Sequence, residues 1–175
     1  KASINSKDIK KNNIFFGIKG KNIDGNKFAD EALKKKASIC ILEKNYSKKN
    51  PRKIFVKDTL KTFSNLSCII RKSLGTPIVA ITGSAGKTSL KELIGQSLNT
   101  LIPTSYSKKS FNNQYGVPLS LFNIDMKHKI GVLEIGMDKK GEIQKLSNLI
   151  RPDIGVITNI SYAHIKNFNS LKGIA

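Results

Sequence analysis

The 175-residue sequence predicts an α/β protein in two parts. A small mixed α/β unit covers residues 1–75, and a parallel-sheet unit of phosphate-loop type covers residues 76–175. Three observations carry the prediction. A strand-type apolar run at 78–82 passes through a glycine turn and Lys87-Thr88 directly into a helical pattern. Strand and helix patterns then alternate, which calls for parallel strands joined by crossover helices. Upstream, a long amphipathic pattern stops at Gly75-Thr76-Pro77, and the domain boundary is placed there.

In the first unit, Ile14–Ile18 reads as a strand and 19–25 as a loop with turn chemistry. Phe28, Ala32 and Leu33 stripe a helix over 26–36. Residues 38–42 and 53–56 read as short strands. Asp58 is placed as the N-cap of a long helix with Leu60, Phe63, Leu66, Ile70 and Leu74 on one face. In the second unit, the first strand is 78–82. The helix after the glycine turn carries Leu90, Leu93, Ile94 and Leu98. Residues 116–122 start another helix, with Pro118 in its first turn. Residues 129–136 form a buried-type strand, 141–150 a short helix stopped by Pro152, and 154–160 the next strand.

The hydrophobic fraction of 39% suffices for a core, and no apolar run reaches the length of a membrane span. No signal-type segment opens the chain, so a cytoplasmic protein is expected. Cys40 and Cys68 lie in apolar runs without metal spacing and read as small buried hydrophobes of a reducing compartment. The net charge of +19 invites a nucleic-acid reading. Against it, arginine occurs only at Arg52, Arg71 and Arg151, and lysines are scattered in pairs and triples. Base edges and bidentate phosphates call for arginine. Specific nucleic-acid binding is therefore not expected; the lysine surface favours anionic substrates. The first residue, Lys1, and the ending at Gly173-Ile-Ala175 read as those of a fragment.

Gly83, Ser84, Ala85, Gly86, Lys87 and Thr88 form the candidate phosphate loop. Glycines let backbone N–H groups close on phosphates, and a helix N-terminus favours negative charge. Lys87 would neutralise the outer phosphates of a nucleoside triphosphate, and the Thr88 hydroxyl would ligate Mg²⁺. The common G-x-x-x-x-G-K-[ST] spacing would need a glycine at Ile81, so this loop is a shorter variant. Glu134 ends an apolar strand, where ligands of parallel sheets collect. It reads as a Mg²⁺ ligand or as a carboxylate paired with lysine. His164 follows the last strand and is either a site residue or an ordinary surface histidine. Asn159 and Ser161 share that strand end. Asn112 and Asn113 could offer amides to a phosphate or a metal-bound water; from spacing alone an Asx-turn is the favoured reading.

Four motifs then agree in order: Thr82-Gly-Ser-Ala-Gly-Lys-Thr88, Phe111-Asn-Asn-Gln-Tyr-Gly-Val-Pro-Leu119, Glu134-Ile-Gly-Met-Asp-Lys-Lys-Gly-Glu-Ile143 and Asn159-Ile-Ser-Tyr-Ala-His164. Together they resemble the Mur ligases of peptidoglycan synthesis, most of all the branch that joins D-Ala-D-Ala to UDP-N-acetylmuramoyl-tripeptide. The short glycine loop is that family's own form. The stretch 14–28 resembles the family's uridine-nucleotide-binding domain. The family often has Asp-Ser-Arg where this chain has Asn5-Ser6-Lys7, and His where it has Asn26.

The resemblance implies an ATP-dependent amide ligase working through an acyl phosphate. Lys87 would sit on the ATP phosphates, Thr88 and Glu134 on one Mg²⁺ and His164 on a second, with Asn113 ordering their surroundings. The partners implied are UDP-N-acetylmuramoyl-tripeptide and D-Ala-D-Ala; a monomer is expected. It also implies a metal-supporting lysine and a third, amine-binding domain beyond Ala175, so the fragment alone is expected to turn over little. Another Mur ligase, a folylpolyglutamate synthase and a nucleic-acid-stimulated NTPase are the competing expectations.

Overall fold

The computed structural model describes residues 1–43, 50–162, 168 and 170–174. Two compact units divide between Leu66 and Ser67.

The first unit is built on a four-stranded parallel sheet. Its strands β1 (Ala2–Ser3), β2 (Ile14–Phe16), β3 (Ile39–Glu43) and β4 (Lys53–Val56) stand in sequence order. A 3₁₀ turn at Gly25–Phe28 leads into α1 (Ala29–Lys34). Ala29, Ala32 and Leu33 of that helix pack on Phe15, Cys40 and Leu42 of the sheet. The sequence reading ran one helix through 26–36. Instead the Asp24 carboxylate accepts from Asn26 N and caps the tight turn first. Asn26 is buried. Its amide donates to Asp24 Oδ1 at 2.7 Å and its carbonyl accepts from Glu43 N at 2.9 Å, which ties the turn to the end of β3.

Helix α2 (Thr59–Ser73) opens as expected on Asp58, whose carboxylate accepts from Lys61 N at 2.8 Å. Phe63 lies buried against Phe16, ring centroids 4.6 Å apart. The unit division falls inside α2, whereas the sequence reading gave the helix wholly to the first unit. Its last turn carries Arg71, which donates to Ile150 O at 2.6 Å and pairs with Asp153 at 2.9 Å within the second unit.

The second unit holds a parallel sheet in the order β6-β7-β5-β8, from β5 (Ile78–Thr82), β6 (Thr104–Tyr106), β7 (Ile130–Glu134) and β8 (Ile154–Ile157). Helix α3 (Lys87–Asn99) follows β5, α4 (Gly116–Asn123) precedes β7, α5 (Glu142–Ile150) follows it, and α6 (Leu171–Ile174) comes last. The side chains of β5 alternate strictly. Ile78 and Ala80 face Val117, Leu121, Leu146 and Ile150 of α4 and α5. Val79 and Ile81 face Leu90, Ile94 and Leu98 of α3. Both faces are covered, which is why these strands read as unbroken apolar runs.

Three details depart from the sequence reading. Strands β1 and β6 were not expected; they are two and three residues long and exist through pairing with β2 and β7. Strand β8 stops at Ile157 and not at 160. Leu93, assigned to the buried stripe of α3, is 65% exposed. Its place on the buried face is taken by Lys91 and by Gly95, whose backbone lies against the Tyr106 ring.

Candidate functional site

The carboxyl ends of β5 and β7 adjoin, with Ile81 paired to Glu134. The glycine loop leaves β5 at Gly83 and enters α3 at Lys87. Gly83 has φ 130° and Gly86 φ 80°, both conformations that side-chain-bearing residues rarely adopt. A Cβ on Gly83 would meet Asn159 O at 2.9 Å and Asn159 N at 3.0 Å. Around Gly86, in contrast, nothing among the described residues lies within 4 Å of an added Cβ.

The loop is held by the segment that follows β8. Ser84 N donates to Asn159 O at 2.9 Å, and Ala85 N to Asn159 Oδ1 at 3.0 Å. Thr158 Oγ1 donates to Ala85 O at 2.6 Å. The Ser84 hydroxyl both donates to Ser161 O and accepts from Ser161 N. Asn159 and Ser161, flagged as a strand-end pair, thus shape the loop. The Lys87 ammonium folds over it, donating to Gly83 O at 2.6 Å and Ser84 O at 3.3 Å. An anion seated on the loop would meet this ammonium together with the first-turn N–H groups of α3.

Thr88 and Glu134 come together. Thr88 Oγ1 donates to Glu134 Oε2 at 2.9 Å, and Asn112 Nδ2 donates to Glu134 Oε1 at 2.7 Å. Glu134 is 1% exposed, an expensive place for a carboxylate unless it is hydrogen-bonded or metal-bound. Its own N–H donates to Ser107 Oγ at 3.1 Å. Gly136 N donates to Asn112 O at 2.7 Å, and a Cβ on Gly136 would collide with the Asn112 side chain. A small residue is therefore required where Asn112 crosses the strand end.

Of the two adjacent asparagines, Asn112 reaches the carboxylate. The Asn113 side-chain Oδ1 turns back to accept from Tyr115 N at 3.0 Å and Gly116 N at 3.1 Å, an Asx-turn that fastens the entry to α4. His164 lies outside the described residues. Among the described residues no group of three or more His, Cys, Asp or Glu side chains could hold a metal ion alone. A hydroxyl and a buried carboxylate, both hard oxygens beside a phosphate loop, suit Mg²⁺. That ion takes one or two protein ligands and completes its shell with phosphate and water. Two open clefts among the described residues, at 99–103 with 127–128 and at 73–77 with 126 and 128–129, lie at the amino ends of β5–β7, away from this chemistry.

Lys91, Ser107 and Thr158 were not singled out from the sequence. Lys91 could have been: it sits with Ile94, Gly95 and Leu98 on one helical face, an odd place for a lysine.

Comparison with known proteins identifies the family. The Mur ligase middle domain pattern matches residues 81–175. The UDP-N-acetylmuramoyl-tripeptide–D-alanyl-D-alanine ligase of Buchnera aphidicola (pea-aphid strain) is 37% identical over 172 residues, covering 98% of this chain and 38% of that protein. Its namesake in Bacillus subtilis is 34% identical over 176 residues, again 38% of that protein. Among solved structures, MurF of Acinetobacter baumannii superposes with a TM-score of 0.84 at 28% identity. MurF of Thermotoga maritima in complex with ADP gives a TM-score of 0.84 at 30% identity, over 99% of this chain and 40% of that one. The chain thus spans about two fifths of the length of the relatives it matches. With the short glycine loop, the threonine–glutamate contact and the middle-domain pattern all falling in one unit, this chain belongs to the Mur ligase family.

Proposed function

We propose that this chain supplies the uridine-nucleotide-substrate domain (residues 1–75) and the ATP-binding domain (residues 76–175) of a ligase that joins D-Ala-D-Ala to UDP-N-acetylmuramoyl-tripeptide. The reaction belongs to peptidoglycan precursor synthesis. The observation that carries the reading is the buried Glu134 carboxylate held between Thr88 and Asn112 at the mouth of the glycine loop. The relatives' names supply the substrates, and the ADP bound to the Thermotoga maritima enzyme supports nucleotide binding by this chain.

Gly83, Ser84, Ala85 and Gly86 cradle the phosphates, Lys87 neutralises them, and Thr88 with Glu134 holds Mg²⁺. A Mg²⁺ held by these two residues would supply charge withdrawal from the phosphoryl oxygens. Asn112 fixes the carboxylate, and Asn113 fastens the entry to α4 beside it. We assign His164 to a second metal. The terminal carboxylate of the tripeptide attacks the γ-phosphorus, forming an acyl phosphate and ADP. The amine of D-Ala-D-Ala then attacks the acyl carbon and phosphate leaves. Catalysis of this kind rests on alignment and charge neutralisation more than on a protein nucleophile. No described helix is long and apolar enough to cross a membrane. The reading further proposes a cytoplasmic monomer without specific nucleic-acid partners.

The test is ADP release by a ligase of the relatives' full length that carries this chain. Turnover should require both UDP-N-acetylmuramoyl-tripeptide and D-Ala-D-Ala. Equal turnover with a single amino acid in place of the dipeptide would overturn the assignment, as would ATP hydrolysis stimulated by DNA or RNA alone.

A further inference from the structure

The most deeply buried charged side chain outside the nucleotide loop is Lys91, which is fully inaccessible. It lies one helical turn beyond Lys87, on the same face of α3. Burying an ammonium is costly unless each donor is used. Here all three are matched by oxygens: Ser107 O at 2.7 Å, Lys109 O at 2.6 Å and Glu92 Oε1 at 2.7 Å. The two carbonyls belong to the segment that leaves β6. Lys109 stands there at φ 50°, a strained value for a lysine.

That segment leads to the metal-binding carboxylate by two routes. Ser107 N donates to Val132 O on β7, and Ser107 Oγ accepts the N–H of Glu134 itself. Three residues past Lys109 the chain reaches Asn112, whose amide grips Glu134 Oε1. One buried ammonium therefore anchors the turn that contacts Glu134 through its backbone and through its side chain.

We propose that Lys91 is a positioning residue for the metal site, holding the 107–109 turn so that Ser107 and Asn112 fix Glu134 opposite Thr88. The proposal rests on the reading of Thr88 and Glu134 as metal ligands. It assigns Lys91 no contact with nucleotide or substrate. Outer-shell partners of metal ligands commonly affect affinity by roughly 10- to 100-fold.

The test is Mn²⁺ binding, followed by electron paramagnetic resonance, in a ligase of the relatives' full length that carries this chain, with ADP present. In parallel, ADP affinity is measured without metal. Lys91→Met should weaken Mn²⁺ binding roughly 10- to 100-fold and leave metal-free ADP affinity, which depends on Lys87 and the glycines, within about twofold of wild type. Ser107→Ala removes only the acceptor of the Glu134 N–H and should weaken Mn²⁺ binding roughly 3- to 10-fold; it carries the test if Lys91→Met does not fold. The double variant should lose less than the product of the two single losses, because both act through one turn. Unchanged Mn²⁺ affinity in folded Lys91→Met or in Ser107→Ala, with wild type binding Mn²⁺, would overturn the proposal alone. Equal loss of metal-free ADP binding would show a merely structural role and overturn it too. Failure of the wild type to bind Mn²⁺ with ADP would overturn the metal-site reading and the proposal together.

Discussion

Replacing Asn112 with alanine removes one of the two side-chain donors that meet the Glu134 carboxylate among the described residues. The contact is 2.7 Å long, its acceptor is 1% exposed, and Thr88 cannot serve both oxygens. A hydrogen bond to a charged group contributes about 1.5–3 kcal/mol, and the loss is felt in full when the acceptor stays buried. We take about 2 kcal/mol. For a chain of this size that is about 4–8 °C in Tm, at about 2–4 °C per kcal/mol. The same change frees the carboxylate to leave its place, so the Mg²⁺ concentration needed for half-maximal ADP binding should rise roughly tenfold. Asn113→Ala is the control. It removes an Asx-turn at a cost of about 0.5–2 kcal/mol and should move the Mg²⁺ requirement far less. Thermal unfolding by circular dichroism and Mg²⁺ titrations of ADP binding read both. An Asn112→Ala variant as stable as wild type, or an Asn113→Ala variant with the larger Mg²⁺ effect, would refute the assignment of Asn112 to the carboxylate.

Gly83→Ala places a methyl group on the Asn159 backbone at φ 130°. Strain of about 1–3 kcal/mol should displace the loop and weaken ADP binding about tenfold or more, and a variant that binds a fluorescent ADP analogue like wild type would count against the glycine loop as the nucleotide site. Burial pushes the Cys40 thiol up to about 11 from 9.0. Its neutral form therefore stabilises the fold fully below pH 9 and is lost as pH rises through about 11; at pH 8 iodoacetamide should label Cys68 and spare Cys40 until the chain unfolds. Backbone N–H groups of Asp138 and Lys139 hold the Glu142 carboxyl below its ordinary value of 4.5. The stability this gives is present above that value and lost as pH falls below it, so Glu142→Gln should flatten the acid limb of a pH–stability curve; an unchanged limb would refute the cap.

The second unit was largely legible because its strands are covered on both faces and its turns carry strong punctuation. Strand β5 and the Gly75-Thr-Pro77 stop are where the residues predict them. Strand β6 was not legible. Thr104-Ser-Tyr106 has no apolar alternation of its own and becomes a strand by pairing with β7. The Leu93 error came from giving a leucine preference over a lysine on the inner face of α3; hydrogen bonds to two carbonyls outweigh that preference locally. Within the site, Thr88 and Glu134 could be foreseen from the loop and the strand end. Which of Asn112 and Asn113 meets Glu134 could not, since neighbours in sequence differ only by a backbone rotation. The absence of a Cβ at Gly136, where Asn112 crosses, is the one hint the sequence contains.

The central claim is that the loop presents a phosphoryl group to a carboxylate instead of to water. The most direct measurement starts from UDP-N-acetylmuramoyl-tripeptide labelled with ¹⁸O in its terminal carboxylate, turned over with ATP and D-Ala-D-Ala by the full-length ligase. Transfer through an acyl phosphate leaves one carboxylate oxygen on the departing phosphate, so mass spectrometry of the released phosphate should find one ¹⁸O per amide formed. Phosphate without ¹⁸O, its new oxygen drawn from solvent, would contradict the account.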